Sequence, residues 1–506
     1  MSQWQAGYVS DIEYTAQFYR ELSPDYLNTV CLLHGNQPPA IEHGFTYCEL
    51  GCGQAISTLM LASMYPKGRF YAVDFNPSHI ANAKRIADQA GIKNIHLSDM
   101  SFGEVCDHPE WLPACDYIVY HGIYSWVSAE NRRYLQEITG KHLKPGGLVY
   151  NSYNCMPGWA TQQPLQHMLR SLANTKIGRS DQRIAYARDA LKKFVSLEPV
   201  VAKAIPQLVK KLDELEGKPV NYLVHEYLHD SWKAFYASEV INDAEQQKLT
   251  YVGQVSPVNA YERMSIPEPF RDWLKELPSQ QVRQDFVDSV LNNQFRRDFY
   301  LKGATAAPVA LQVQKFRTMK FVLMASLESL PTKVTAPVGE LNCNPDVYRP
   351  VMELIANESL TLDEMATKTG IGLISAIEVV MVMMSAGSLY PVSTETKPND
   401  AKKLNRIFAA MAEVKANGQY LCAPNVATGI AANHLHCLFM HTYLNGNKKA
   451  DELVSHALLI FQSNGFGFMK EGKQVTEAEE LKGLLATEAE NWLANVKPIW
   501  QELGIF

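Results

Sequence analysis

The chain has 506 residues, 46% of them hydrophobic and 20% charged, with 47 Lys and Arg against 53 Asp and Glu for a net charge of −6. A length of this order divides into about three or four domains, each able to bury its own core, and so mild a charge removes any general electrostatic case for nucleic acid or membrane surfaces. The opening MSQWQAGYVSDIEY has neither a basic segment nor an apolar core, and no apolar run would span a bilayer without a charge, so a cytoplasmic protein without membrane insertion is expected.

Residues 1 to 40 read as helical, ending in NQPPA, and are expected to fold over a ligand site, with Tyr14 and Tyr26 as lid candidates. Phe45 to Leu50 reads as a buried strand and Gln54 to Met64 as a helix, which puts Gly51 and Gly53 of ELGCGQA on the turn between them. Glycines there let backbone approach a ligand where a Cβ would obstruct it. A dinucleotide fingerprint needs another glycine three residues after the second, but Ile56 stands there, and Glu49 precedes the turn. That carboxylate repels a pyrophosphate and suits a ligand carrying an ammonium and a sulfonium, while Asp74, at the end of the next strand in YAVDFNP, can accept from both ribose hydroxyls. S-adenosylmethionine fits those demands best; a structural βα turn is the plain alternative.

Lys93 to Leu97 reads as a third strand followed by Ser98, Asp99 and Met100, Asp116 to Tyr120 as a fourth followed by HGIYSWV, and LKPGGLVYNSY as a turn and a fifth. Helical patterns at Ser78 to Ala90 and Ser128 to His142 separate them, so the expected fold is α/β, with a doubly wound, Rossmann-like parallel sheet and ligands at the carboxyl ends of its strands. Asp99 would then reach the adenine amino group and Met100 pack on the ring; otherwise Asp99 is a helix N-cap or turn acid. The nine cysteines, among them Cys48 and Cys52 beside the glycine turn, lack CxxC pairing and read as reduced thiols without a metal.

Residues 160 to 220, with patterns such as Gln182 to Leu197, are expected as a helical insertion able to form a subunit contact. The stretch 221 to 335 mixes helix and loop, 336 to 398 resembles a winged helix, and 399 to 506 closes with helices that include Glu477 to Leu503. A winged helix raises the rival of a DNA-binding regulator. Its third helix, in GLISAIEVVMVMMSAG, has no Lys or Arg and one acid, Glu378, where a DNA reader needs cations. Met381, Met383 and Met384 read as core packing, with a partner groove as the alternative.

ELGCGQA, VDFNP, SDMSF, DYIVYHGIYSWV and LKPGG together resemble the successive motifs of class I S-adenosylmethionine-dependent methyltransferases, within an expected core of residues 41 to 159. Ala55 departs from the pattern, since many members have a third glycine there. VHEYLHDSWKAFYASEV, KLTYVGQ and NNQFRRDFYLKG resemble the methyltransferase regulatory domain that accompanies such cores. With YRELSPDYL, HGIYSWVS and YNCMPGW, the pairing is similar to bacterial outer-membrane-protein lysine methyltransferases, best known from rickettsiae. The resemblance implies S-adenosylmethionine as cofactor, lysine side chains of a protein as substrate, and a homodimer. The residues expected at the cofactor are Glu49, Gly51, Gly53, Gln54, Asp74, Phe75, Asp99, Met100, His121 and Gly122.

Methyl transfer needs a neutral nucleophile in line with the sulfonium methyl, so the protein mainly positions the reactants and excludes water. A lysine acceptor has an unperturbed pKa of about 10.4, a handicap of about 4 kcal/mol at neutral pH that aromatic desolvation and a proton acceptor must offset. His121, Tyr124, Ser125 and Trp126 stand at the right strand end, with Tyr124 and Trp126 suited to cation–π contact with a methylated ammonium. His121 has cofactor contact as the favoured reading and proton relay as the other; Tyr124 and Trp126 have core packing beneath a loop. Tyr153 and Asn154 are candidates for an acceptor channel, and Pro157 and Gly158 for shaping the turn. His225, Glu226 and Tyr227 read as a structural network ahead of an acceptor-side wall, and His225 and His229 lack a third metal ligand. A small-molecule or peptide N- or O-methyltransferase and a cofactor-binding regulator without turnover remain as alternatives. An open cavity between core and regulatory region would favour a protein substrate.

Overall fold

The computed structural model describes residues 9, 11–12, 17–356, 358–415, 419–470, 473–475 and 477–506. After helix α1 (Pro24–Leu33), the chain lays down strands β1 (Thr46–Leu50), β2 (Arg69–Val73), β3 (Ile95–Ser98), β4 (Cys115–Tyr120) and β5 (Leu143–Asn154), which pair in parallel. Between them run α2 (Ile56–Met64), α3 (Pro77–Ala90), α4 (Phe102–Asp107) and α5 (Ala129–His142). Two further strands, β6 (Leu249–Gln254) and β7 (Phe295–Lys302), complete a seven-stranded sheet in the order β3-β2-β1-β4-β5-β7-β6. β7 is antiparallel to both β5 and β6, so the parallel sheet of the sequence reading is the larger part of a mixed one, extended by strands from the 221–335 stretch. The chain leaves β1 toward β2 on one side and returns to β4 on the other, which opens a crevice at their carboxyl ends.

Side chains alternate across each strand with a period of two, and the sheet divides its apolar residues accordingly. Tyr47, Tyr117, Tyr150 and Phe299 face one core, shared with α1, α2 and α3. Cys48, Ile118, Val149 and Tyr300 face the other, filled by α4, α5 and the helix Ala237–Glu245. Element ends shift slightly from the expected ones. The helix after the glycine turn begins at Ile56 rather than Gln54, because Ala55 takes a left-handed φ of 55°; many members of the family it resembles have glycine there, for which this conformation is free of Cβ strain.

Residues 163 to 227 form helices Gln163–Asn174, Ser180–Ser196, Val200–Ala204, Pro206–Glu214 and Val220–Tyr227 around a core of their own that includes Leu165, Leu169, Leu191 and Leu212. Farther on, helices Pro345–Ile355, Leu362–Thr369 and Leu373–Ser385 pack with an antiparallel sheet of Lys320–Leu323, Leu360–Thr361 and Leu389–Pro391. In Leu373–Ser385 every residue from Val379 to Met384 is buried, which places the methionine stripe in the core. Helix Pro398–Ala410 packs on α2 and α3, so the core on that face of the sheet continues into the C-terminal half. Among the described residues no single helix is long and apolar enough to cross a membrane. The nine cysteines form no disulfide.

Candidate functional site

A cavity of about 450 Å³ lies at the carboxyl ends of β1, β2 and β4, within the range of small-molecule sites. The glycine turn forms its floor: Gly51 (φ +75°) and Gly53 (φ +54°) are left-handed, a Cβ on Gly51 would lie 2.3 Å from the Ile123 side chain, and one on Gly53 would project into open space. Asp74 organises this turn. Its Oδ2 accepts from Gly53 N at 2.9 Å, its Oδ1 from Asn76 N at 3.0 Å, and His79 Nδ1 lies 3.2 Å from Oδ1. An ionised carboxylate offers about four acceptor positions, so these contacts leave Asp74 acceptor capacity toward the cavity, where a ribose hydroxyl would donate.

Glu49, 6% exposed at the end of β1, lines the same floor. Burial pushes its carboxyl up to about 7, with Asp74 adding repulsion and the Thr58 hydroxyl donating to Oε2 in partial compensation. No salt bridge to Glu49 forms among the described residues. Its ionised form is therefore disfavoured by on the order of 3 kcal/mol, which a ligand cation would relieve. A buried carboxylate without a cation and a glycine cradle open to the cavity are what an ammonium- and sulfonium-bearing nucleoside requires, so the residues present fit S-adenosylmethionine.

The opposite wall comes from distant parts of the chain: Val9, Ile12, Gln17 and Tyr19, then His121, Gly122 and Trp126 after β4, then His225 and Glu226. Alternation along β5 positions it. Tyr150, Ser152 and Asn154 share one face, where the Tyr150 hydroxyl meets His121 Nδ1 at 2.7 Å, Ser152 Oγ accepts from Gly122 N at 2.8 Å, and Asn154 Nδ2 donates to Glu226 Oε1 at 3.0 Å. Burial, aided by Arg297, pulls His121 down to about 3, so the ring is neutral. Burial holds Tyr150 well above its ordinary range, so its hydroxyl keeps its proton and shares a hydrogen bond with His121 Nδ1. Burial also pushes Glu226 up to about 7, against the hydrogen bond from Asn154.

Of the expected cofactor set, Glu49, Gly51, Gly53, Gln54, Asp74, Phe75, Met100, His121 and Gly122 line the cavity. Asp99 does not: it is exposed, and Ser101 caps α4 in a box with Glu104, which turns Met100, Ser101 and Phe102 to the cavity instead. Of the expected acceptor set, His121 and Trp126 line it, whereas Tyr124 and Tyr153 do not. Tyr124 donates to Asp243 at 2.6 Å, and Tyr153, on the other face of β5 from Asn154, donates to Asp298 at 2.7 Å. Both are buried structural groups. Tyr26 is buried against Tyr390 away from the cavity, and Tyr14 lies outside the described residues. His225 and Glu226, expected as a structural network, join that network and line the cavity as well. His79 and Tyr19 join the site without an expected role there: His79 follows Asp74 in DFNPSH, and Tyr19, which opens the YRELSPDYL block, stacks its ring on His121 with centroids 3.7 Å apart.

The chain is similar to known proteins along most of its length. A methyltransferase domain model matches residues 41–213, and a predicted methyltransferase regulatory domain matches 219–302. An uncharacterized Synechocystis sp. protein, sll1526, is 35% identical over 510 residues, 99% of each chain. RP028 of Rickettsia prowazekii is 28% identical over 243 residues, 47% of this chain and 93% of that one. The structure of PKMT2 from Rickettsia typhi in complex with AdoHcy shares the fold with a TM-score of 0.69 at 20% identity, over 95% of this chain and 98% of that one.

Proposed function

The chain belongs to the class I S-adenosylmethionine-dependent methyltransferases that carry a methyltransferase regulatory domain, and on that premise we propose that its acceptor is an amine, the side chain of lysine in a protein methylated in the cytoplasm. One observation carries the reading: five carboxylates, Glu49, Asp74, Glu104, Asp107 and Glu226, line the cavity, and among the described residues its lining includes no Lys or Arg. Such a lining repels carboxylate and phosphate acceptors and attracts an ammonium. Glu104 and Asp107 are exposed at the rim, so the cavity opens at the surface, as a side chain entering from a protein requires. The name of PKMT2 and the outer-membrane-protein resemblance point the same way.

When bound, S-adenosylmethionine supplies an electrophilic methyl on sulfur. Glu49 and Asp74 hold the cationic and ribose ends on the floor, while Met100 and Phe102 offer apolar surface to the base. At the other wall Trp126 presents its ring to the incoming ammonium. The amine must lose a proton before its nitrogen attacks carbon as the carbon–sulfur bond breaks. An acceptor matched to neutral pH is Glu226, at about 7, rather than His121, at about 3. His121 is then a shaping group, its ring held through Nδ1 by Tyr150, and Asn154 holds the Glu226 carboxylate. Exposed Ile177, Leu197 and Val200 in the helical insertion support a homodimer through that region.

Incubation with methyl-tritiated S-adenosylmethionine and an extract of the source organism, followed by acid hydrolysis of the protein fraction, tests the acceptor. The expected product is label in N-methyl-lysine. Label in small molecules alone sinks the protein-lysine reading, and label in base-labile esters sinks the amine reading.

A further inference from the structure

Residues 17 to 23 connect the cavity to the C-terminal half of the chain through side chains that alternate in direction. Gln17 and Tyr19 line the cavity, and Tyr19 stacks on His121 while its backbone N–H donates to Ser57 Oγ in the first turn of α2 at 3.3 Å. Phe18 is buried toward Tyr420, with ring centroids 6.4 Å apart, and a Cβ on Gly429 would come 2.6 Å from its ring. Arg20 reaches the end of helix Leu373–Ser385, donating to the carbonyls of Met384 at 3.4 Å and Ser385 at 2.8 Å. Ser23 Oγ donates to the Ala427 carbonyl at 2.7 Å.

The last carbonyls of a helix lack intrahelical donors and carry partial negative charge, so a guanidinium there satisfies Ser385, adds a second donor to Met384, whose carbonyl also accepts from Gly387 N, and is held in return. Glu21 adds a second tie, 3.7 Å from Arg20 and 3.6 Å from Arg297, whose guanidinium lies over Phe295 beside His121. Ser385 also accepts from Val258 N through its hydroxyl at 3.3 Å, so the helix end is anchored independently of residues 17 to 23, which lie across it as a strap. From these contacts we infer that Arg20 is a positioning residue: by capping helix Leu373–Ser385 it holds Tyr19 on His121 and makes the C-terminal half a determinant of cofactor retention. A ligand that needs the strap docked binds in proportion to the docked fraction. The inference concerns the cofactor side and holds whatever the acceptor is.

The test is calorimetric binding of S-adenosylhomocysteine to the full chain and to Arg20→Met, Arg20→Lys, Tyr19→Ala, the Tyr19→Ala/Arg20→Met double variant and Gly387→Ala. Gly387 (φ +77°) lies outside the cavity lining, and a Cβ on it would come 2.6 Å from Arg20 Nη1. Loss of docking weakens binding about tenfold in Arg20→Met, less in Arg20→Lys and about threefold in Gly387→Ala. Because Arg20 acts through Tyr19, the double variant should bind no more weakly than Tyr19→Ala within about twofold. Arg20→Met and Gly387→Ala that lose melting temperature yet bind within about twofold of the parent would reduce Arg20 to a structural group and overturn the inference, as would a double variant whose loss is the product of the single ones. Should Arg20→Met fail to fold, Arg20→Lys and Gly387→Ala decide by the same criteria.

Discussion

The two walls of the cavity are built in opposite ways. The floor comes from strand ends and turns within residues 49 to 103, and its key group, Asp74, is tied by three neighbours, all within 21 residues of it. The other wall is assembled from Val9, Ile12, Gln17 and Tyr19, from His121, Gly122 and Trp126, and from His225 and Glu226, and its acid, Glu226, is held by Asn154, 72 residues away. Local wiring makes the floor legible and rigid as soon as the strands pair, whereas the far wall exists only once β5, the regulatory helix Val220–Tyr227 and the N-terminal segment meet. The floor should therefore respond to substitution as a cofactor site, and Glu226 in the far wall as a catalytic group.

The sharpest way to break that contrast is Asp74→Asn, which removes the charge that organises Gly53, Asn76 and His79; it should weaken S-adenosylhomocysteine binding about 100-fold by calorimetry. A loss below fivefold would mean that the floor is not organised by this carboxylate. Next, Glu226→Gln should leave cofactor affinity within about twofold while cutting single-turnover methyl transfer about 30-fold at pH 7, because an amide cannot take the amine's proton. Equal loss of binding and turnover would return Glu226 to the floor's class.

Glu49 sharpens the comparison through pH. Its folded-state carboxyl is raised from 4.5 to about 7, so the free protein holds a proton there that the unfolded chain has lost, and this group's contribution to stability falls as pH rises across that window. A cationic ligand favours the ionised form, so affinity should rise with pH by up to about tenfold per unit below pH 7 and then level off. Glu49→Gln should bind more weakly and flatten that profile; an unchanged slope would assign the proton to another group. The smallest effect is expected at Tyr153→Phe. Asp298 keeps its bonds to Arg296, so stability should fall by about 1 kcal/mol in urea titration, with turnover within about twofold of the parent. A tenfold loss of turnover would restore Tyr153 to the acceptor channel.

The sequence alone determined the parallel part of the sheet, the glycine turn and the floor acids, since strand period, the spacing of Gly51 and Gly53 and the positions of Glu49 and Asp74 are all fixed by covalent neighbours. Asp99 stands exposed outside the lining, because the Ser101–Glu104 box that begins α4 decides which way the turn faces. The sequence promoted Tyr124 and Tyr153 because an aromatic residue beside a strand end looks the same whether it faces a cavity or a buried carboxylate. Only the tertiary structure decided that Asp243 and Asp298 claim those hydroxyls, that β6 and β7 extend the sheet, and that Tyr19, Trp126 and Glu226 share one cavity. Those contacts join residues that lie tens to hundreds of positions apart, and chain periodicity carries no information about which distant partner a side chain meets once the core closes.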